Sequence, residues 1–303
     1  MFKIITGAND NYIHTLIDFI NSYMSLNLQS NTLIVYDLGL NIHNKDIILE
    51  LNKKYNFNFK KFDYSLYPDY VDLNKYNGLY CSYAFKPIIV YNEANQADNI
   101  GNVLIWLDSA NRFNINSLGQ IYDCVKKYGI YTPISNPAGS IESIELNHPE
   151  TVMRFDVSVD DHKKCLASVS ANLIGFDYNN LAGKTIIDEW YDKSLKKEFI
   201  IPEGSSRNNH RQDQTLLSII IFLYEKKNKI IFDKHSIGGI SFWNKRDKTT
   251  VQEGYFPFKL IEKKTGKQLA IIYCRTLTEA INVYRERKQI NADTFHTNFI
   301  VKP

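Results

Sequence analysis

Over residues 2–62, short apolar runs alternate with amphipathic stretches, and this alternation restricts the possible folds more than any other feature of the chain. Residues 2–5, 32–36 and 57–62 read as strands, while 11–24 and 45–54 carry a helical period. Apolar strands separated by helices predict a β-α-β-α-β unit, with a parallel sheet buried by helices on both faces. Such sheets take ligands beyond the carboxyl ends of their strands. Attention therefore falls on Thr6-Gly7-Ala8-Asn9-Asp10 after the first strand and Asp37-Leu38-Gly39-Leu40 after the second. Isolated glycines such as Gly7 and Gly39 also serve ordinary tight turns.

Further along, a helix over 84–97 leads into residues 102–107, the most apolar strand candidate, which ends in Asp108-Ser109-Ala110-Asn111-Arg112. A buried central strand thus delivers a carboxylate to the sheet edge. Helices are predicted over 117–128, 184–196 and 212–224, and strands over 171–176 and 229–233. Beyond residue 250 the pattern becomes a hairpin (258–263 and 268–274), a helix over 278–287 and a final strand over 295–301. Lys264-Thr265-Gly266-Lys267 has the look of a phosphate loop, but it lacks the leading glycine and lies inside the hairpin, so it reads as a turn. The expectation is an α/β domain over 1–250, mixed and mainly parallel, followed by a small α+β appendage over 251–303. A chain of 303 residues has room for one large core and little more.

Composition excludes several classes. The net charge of +3 is spread thinly, with no basic run to mark a nucleic-acid track. No stretch of 18 apolar residues suggests a transmembrane segment, and the N-terminal apolar run is too short for a signal peptide, so a cytoplasmic protein is expected. Cys81, Cys124, Cys165 and Cys274 show no C-x-x-C pairing and read as buried thiols. No G-x-S-x-G elbow or Cys–His motif suggests a nucleophilic triad.

Four stretches in order, Tyr67-Pro68, Tyr83-Ala84-Phe85-Lys86-Pro87-Ile88-Ile89, Leu104-Ile105-Trp106-Leu107-Asp108-Ser109 and His210-Arg211-Gln212-Asp213-Gln214, resemble a GT-A glycosyltransferase family related to the family 8 enzymes, including a eukaryotic and viral branch. The resemblance spans about residues 1–245; if the source is viral, host cytoplasm or virion are the implied locations. It implies a Rossmann-like GT-A domain that moves a sugar from a nucleoside diphosphate sugar, expected to be a UDP-sugar, to a hydroxyl on a glycan or protein. The family holds Mn²⁺ or Mg²⁺ on the donor diphosphate with a D-x-D motif. Here Asp108 matches the first carboxylate, but Ala110 stands in place of the second, with Asn111 the nearest polar substitute. Loss of an anionic oxygen ligand weakens a hard-cation site.

The implied roles follow residue by residue. Thr6, Gly7, Ala8 and Asp37 would lie near the nucleotide; Lys86, Asp108, Ser109, His210 and Arg211 near the diphosphate and sugar. Asp213 and Gln214 are the catalytic candidates. Asp213 is the base if the anomeric centre inverts, whereas retention, towards which the family leans, needs no such base. His235 would complete the metal site with Asp108. Trp243, beside Gly238-Gly239, is the candidate aromatic face for donor or acceptor, while Trp106 and Trp190 read as core. The alternatives are a non-catalytic carbohydrate-binding or assembly protein, for which Ala110 argues, and a nucleotidyltransferase, whose Gly- and Lys/Arg-rich loop after the first strand is missing.

Overall fold

The computed structural model describes residues 2–28, 32–75, 82–112, 115–134, 146–158, 160–161, 169–234, 237, 241–242, 256–266, 268–274, 276–288 and 291–302. They form two compact units, a larger one within residues 1–241 and a smaller one over 242–303.

In the larger unit the chain runs through β1 (Phe2–Ala8), α1 (Ile13–Met24), β2 (Leu33–Asp37), α2 (Ile42–Tyr55) and β3 (Asn58–Lys61). It continues with α3 (Phe85–Ala94), β4 (Val103–Leu107), the short β5 (Asn111–Arg112), α4 (Ile115–Tyr128) and β6 (Ile130–Tyr131). Then come α5 (Pro149–Arg154), β7 (Leu173–Asp177), α6 (Leu181–Ser194), α7 (Lys197–Ile200) and α8 (Gln212–Asn228). The sheet order is β3-β2-β1-β4-β7-β6. The first four strands are parallel, whereas β7 pairs antiparallel with β4 and β6 antiparallel with β7. The expected α/β class and mainly parallel sheet are what the structure has.

Alternation along the strands explains why both faces are covered. Ile4, Val35, Ile105 and Leu173 share a core with Leu16, Phe19 and Ile20 of α1 and Leu118, Ile121 and Val125 of α4. Their neighbours point the other way. There Trp106 meets Phe85 of α3 with ring centroids 6.2 Å apart, and Phe176 meets Trp190 of α6 at 6.4 Å. On this face the Tyr36 hydroxyl donates to Glu93 of α3, a carboxylate also held by Lys60 at 2.7 Å and Asn99 at 2.8 Å. Fully burying side chains of this size contributes roughly 1.5–3 kcal/mol each, so the two layers fix α3 and α1 on the sheet.

Two predicted elements differ. Residues 229–233 form no strand: Lys229 closes α8 in the left-handed conformation (φ 53°), and Ile231 is 85% exposed. Glu225 caps this exit by accepting from the Phe232 amide at 2.6 Å. Phe295 lies in a capped helix (Ala292–Asn298), so the last strand is only Phe299–Lys302. In the smaller unit Phe256–Glu262 pairs antiparallel with Gln268–Cys274 on one side and with Phe299–Lys302 on the other. Phe258, Leu260, Cys274, Val283, Tyr284 and Phe295 form its core, and the Lys264-Thr265-Gly266 segment is the hairpin's turn. Cys124 and Cys274 carry free thiols, half-buried and buried; Cys81 and Cys165 lie outside the described residues. No helix among the described residues is long and apolar enough to cross a membrane.

Candidate active site

The carboxyl end of β4 gathers charge from two helices and from the strand's own end. Asp108 follows the strand on the same side as Trp106, two residues back, and the Trp106 indole N–H donates to Asp108 Oδ1 at 2.7 Å. Because β7 runs antiparallel, the residues before it reach this same edge. The Asn172 carbonyl accepts from the Asp108 amide at 2.9 Å and from Asn111 Nδ2 at 2.9 Å.

Lys86, in the first turn of α3, is buried and enters from the Trp106 face. Its ammonium donates to the Ala171 carbonyl at 2.8 Å and lies 3.2 Å from Asp108 Oδ1 and 3.1 Å from Asp213 Oδ2. Burial alone would lower the Lys86 pKa, but Asp108 and Asp213 outweigh it and the net shift is upward. Asp213 comes from the first turn of α8, and its backbone carbonyl accepts from the Trp190 indole at 2.9 Å. Desolvation raises its pKa to about 6, with Asp108 adding to the rise and Lys86 opposing it. Asp213 Oδ2 has the ion pair but no aligned hydrogen bond. Removing Lys86 would strand a buried carboxylate, at a cost of about 3–5 kcal/mol.

The structure thus brings together Lys86, Asp108 and Asp213 of the predicted set and gives other members different tasks. His210, expected at the donor, is fully buried: its Nδ1 accepts from the His148 amide at 3.3 Å, which leaves Nε2–H to donate to the Ile200 carbonyl at 3.0 Å. Ser109 is buried against Thr15, hydroxyl to hydroxyl at 2.9 Å, tying β4 to α1. Asp37 closes its own turn, Oδ1 accepting from the amides of Gly39 at 2.9 Å and Leu40 at 2.7 Å. Gly7 lies where β1 passes β2, and an added Cβ would come within 3.0 Å of the Tyr36 carbonyl oxygen. Ala8 is buried, its carbonyl accepting from Leu38 at 3.0 Å. The Thr6 hydroxyl and Asn9 Oδ1 are buried without a hydrogen-bond partner among the described residues, so this strand end retains unmet polar capacity. Gln214 is half-buried one residue past Asp213. His235 and Trp243 lie outside the described residues.

Sequence reasoning missed Tyr83 and Arg207 as a pair. The Arg207 guanidinium donates to the Tyr83 hydroxyl and lies 5.6 Å from its ring centroid, while Lys86 Nζ lies 6.0 Å from the same ring. Tyr83 (φ 52°) and Gln212 (φ 43°) both adopt left-handed backbone beside the cluster, which costs about 1–2 kcal/mol per non-glycine residue. Gln212 Nε2 is also buried without a partner among the described residues. Two arginines four apart, Arg207 and Arg211, were the available signal. Trp106, read as core, is both core and hydrogen-bond donor to the site.

Of the expected metal pair, Asp108 stands at this edge and His235 lies outside the described residues. Asp108 Oδ1 is already engaged, Ala110 offers no side-chain oxygen, and the Asn111 amide nitrogen is committed to the Asp108 and Asn172 carbonyls. No group of three His, Cys, Asp or Glu side chains suited to a metal occurs among the described residues.

A family model described as "Protein of unknown function (DUF1647)" matches residues 2–91. No curated protein matches the chain. Among solved structures, the chain is similar to the apo form of the WbbM bifunctional glycosyltransferase at 12% identity and a TM-score of 0.42, over 72% of this chain but only 37% of WbbM. It is similar to the galactosyltransferase LgtC in complex with donor and acceptor sugar analogs, at 12% identity and a TM-score of 0.46, over 82% of this chain and 88% of LgtC. For apo mouse xyloside xylosyltransferase 1 the values are 10%, 0.42, 80% and 97%.

Proposed function

We propose that the larger unit is a GT-A glycosyltransferase that transfers a sugar from a nucleoside diphosphate sugar, a UDP-sugar in the first instance, to a hydroxyl on a glycan or protein. The observation that carries this reading is the buried Lys86 ammonium held between Asp108 and Asp213 at the carboxyl end of the central strand. Such an edge is where open α/β sheets bind ligands. The sequence resemblance brings the same three residues to the donor.

In this reading the sugar–phosphate bond breaks as the acceptor oxygen bonds to the anomeric carbon, and negative charge grows on the departing diphosphate. Lys86 meets that charge from a site whose geometry is fixed in advance, and fixed charges of this kind give the largest catalytic contributions. Asp213, buried and turned to Lys86, holds the ammonium in place. A retaining course follows, in which the departing phosphate oxygen takes the acceptor's proton. Thr6 and Asn9, with their unmet hydrogen-bonding capacity, serve the nucleotide end. No step here is routed through Mn²⁺ or Mg²⁺; such an ion would be held at Asp108 and would add to the charge neutralisation of the diphosphate.

Thermal unfolding with a panel of nucleoside diphosphates and their sugars tests the donor site, since a ligand at 100 times its Kd adds about 2.7 kcal/mol. Stabilisation by one nucleotide and slow hydrolysis of its sugar are the expected results, and NMR of the freshly released sugar reads the anomeric course. Ala110 favours one second reading, a binding protein on the same fold. Nucleotide-sugar binding without any hydrolysis or transfer would select it.

A further inference from the structure

The charges at the end of β4 do not balance for an anionic ligand. Asp108 and Asp213 carry two negative charges against the single Lys86, so this trio by itself leaves most of a diphosphate's charge unneutralised. In a metal-dependent enzyme a second acidic residue and a divalent ion solve the same problem, and Ala110 removes that second residue here. Tyr83 links the trio to further positive charge. Arg207 is anchored on Tyr83, whose ring also faces Lys86. Arg211 immediately precedes α8 and is half-buried, its amide donating to Thr215 at 3.0 Å. Burial lowers the Arg211 pKa, and the neighbouring Arg207 adds to that lowering while Tyr83 opposes it. Two neighbouring guanidinium groups, one of them half-buried, gain when an oxyanion arrives between them. The amino end of the 17-residue α8 adds its partial positive charge. The left-handed Gln212 sits between Arg211 and Asp213, and a strained residue at that position is costly unless the turn it makes is needed.

We infer that Arg207 and Arg211, steadied by Tyr83, form a guanidinium clamp for the donor's diphosphate that supplies the charge neutralisation for which the Asp108-Ser109-Ala110 segment lacks a second carboxylate. The inference rests on the glycosyltransferase reading for the identity of its ligand, though the anion chemistry stands without it. Guanidinium forks bind phosphate oxygens in pairs, so lysine is an incomplete substitute.

The test is calorimetric titration of the full chain with inorganic pyrophosphate and, separately, UDP, in EDTA and then with Mn²⁺. Both probes bind in EDTA, and Arg207→Gln and Arg211→Gln each weaken them by about tenfold or more, as the loss of a charge-assisted pair does. Arg211→Lys recovers part of the loss, and Mn²⁺ changes the affinity less than either arginine variant. Both side chains are half-exposed, so ligand-free melting of the variants stays near wild type and folding is not confounded. UDP binding that appears only with Mn²⁺, or that ignores both arginine variants, overturns the clamp while leaving a nucleotide-sugar enzyme intact. Pyrophosphate binding that depends on the arginines, with no nucleotide or nucleotide sugar bound any better, supports the clamp and overturns the glycosyltransferase reading instead.

Discussion

Two parallel strands of one sheet end in an aspartate, and the two ends have opposite characters. At the end of β2, Asp37 is 3% exposed and its Oδ1 closes a turn by accepting two backbone amides, with Lys45 3.7 Å from the other oxygen. That carboxylate is satisfied by its own loop. At the end of β4, Asp108 has a third of its side chain exposed and shares one ammonium with a second carboxylate. A polar group satisfied locally stabilises the fold, whereas a group left with unbalanced charge has something still to bind. The difference teaches that a strand-terminal aspartate is not informative until its partners are known.

Asp108→Asn separates the two ends most sharply. It keeps the shape and the indole contact but removes the charge that sets Lys86, so donor hydrolysis falls by roughly 10²–10³, about 2.7–4 kcal/mol in the barrier. The melting temperature changes little. If Asp108→Asn unfolds the protein while sparing turnover per folded molecule, the two strand ends are alike and the site lies elsewhere.

The pH dependence of stability probes the same contrast within one stretch of chain, because His210 and Asp213 are both buried. Asp213 has its folded pKa raised from 3.8 to about 6, so its contribution is fully present below 3.8 and is lost as pH rises through about 6. His210 has its folded pKa depressed from 6.5 to about 4, chiefly by burial. Its contribution is present above 6.5 and is lost as pH falls through about 4. Between pH 4 and 6 the two slopes oppose and the wild type is nearly flat from these groups. Asp213→Asn leaves the His210 slope alone, and denaturant unfolding at several pH values then shows stability climbing by about 1.4 kcal/mol per pH unit relative to wild type. Parallel curves for the two proteins would mean that Asp213 ionises normally and is not the strained member of the site.

At the β2 end, Asp37→Ala leaves two turn amides without an acceptor and costs about 1–3 kcal/mol of stability by denaturant unfolding. Nucleotide binding per folded molecule stays unchanged. A selective loss of binding with normal stability would return Asp37 to the nucleotide site and erase the contrast.

How far the sequence could lead is visible in these same residues. The apolar runs of β1, β2 and β4 and the period of α1 announce the sheet, because burial on both faces dictates composition directly. Asp108 was legible from the apolar strand it ends, but Lys86 and Asp213 only through motif resemblance, since nothing in local spacing says that residues 86, 108 and 213 meet. Their meeting depends on β7 running antiparallel and on α3 and α8 both packing near the Trp106 face. His210 shows the limit from the other side: the motif it belongs to suggests the donor, and nothing in its spacing announces that it is buried between two backbone partners. Residues 229–233 are apolar enough for a strand, yet no neighbouring strand takes them and the chain leaves α8 through a left-handed Lys229.

Gly39 gives the smallest effect and the finest test of the β2 end. Its φ of 117° lies where side chains are rarely accommodated, and a Cβ there would come within 2.5–2.8 Å of the Asn74 side-chain amide. Asn74 donates from that amide to the Leu38 carbonyl at 3.3 Å, so it cannot withdraw without loosening the turn that Asp37 closes. Gly39→Ala therefore lowers stability by about 1–2 kcal/mol through backbone strain. Gly39→Ala with Asn74→Ala removes the steric part and leaves the φ penalty, so the double variant loses less than the two single losses added together. Strict additivity would mean that Gly39 and Asn74 act independently and that the β2 turn is held by Asp37 alone.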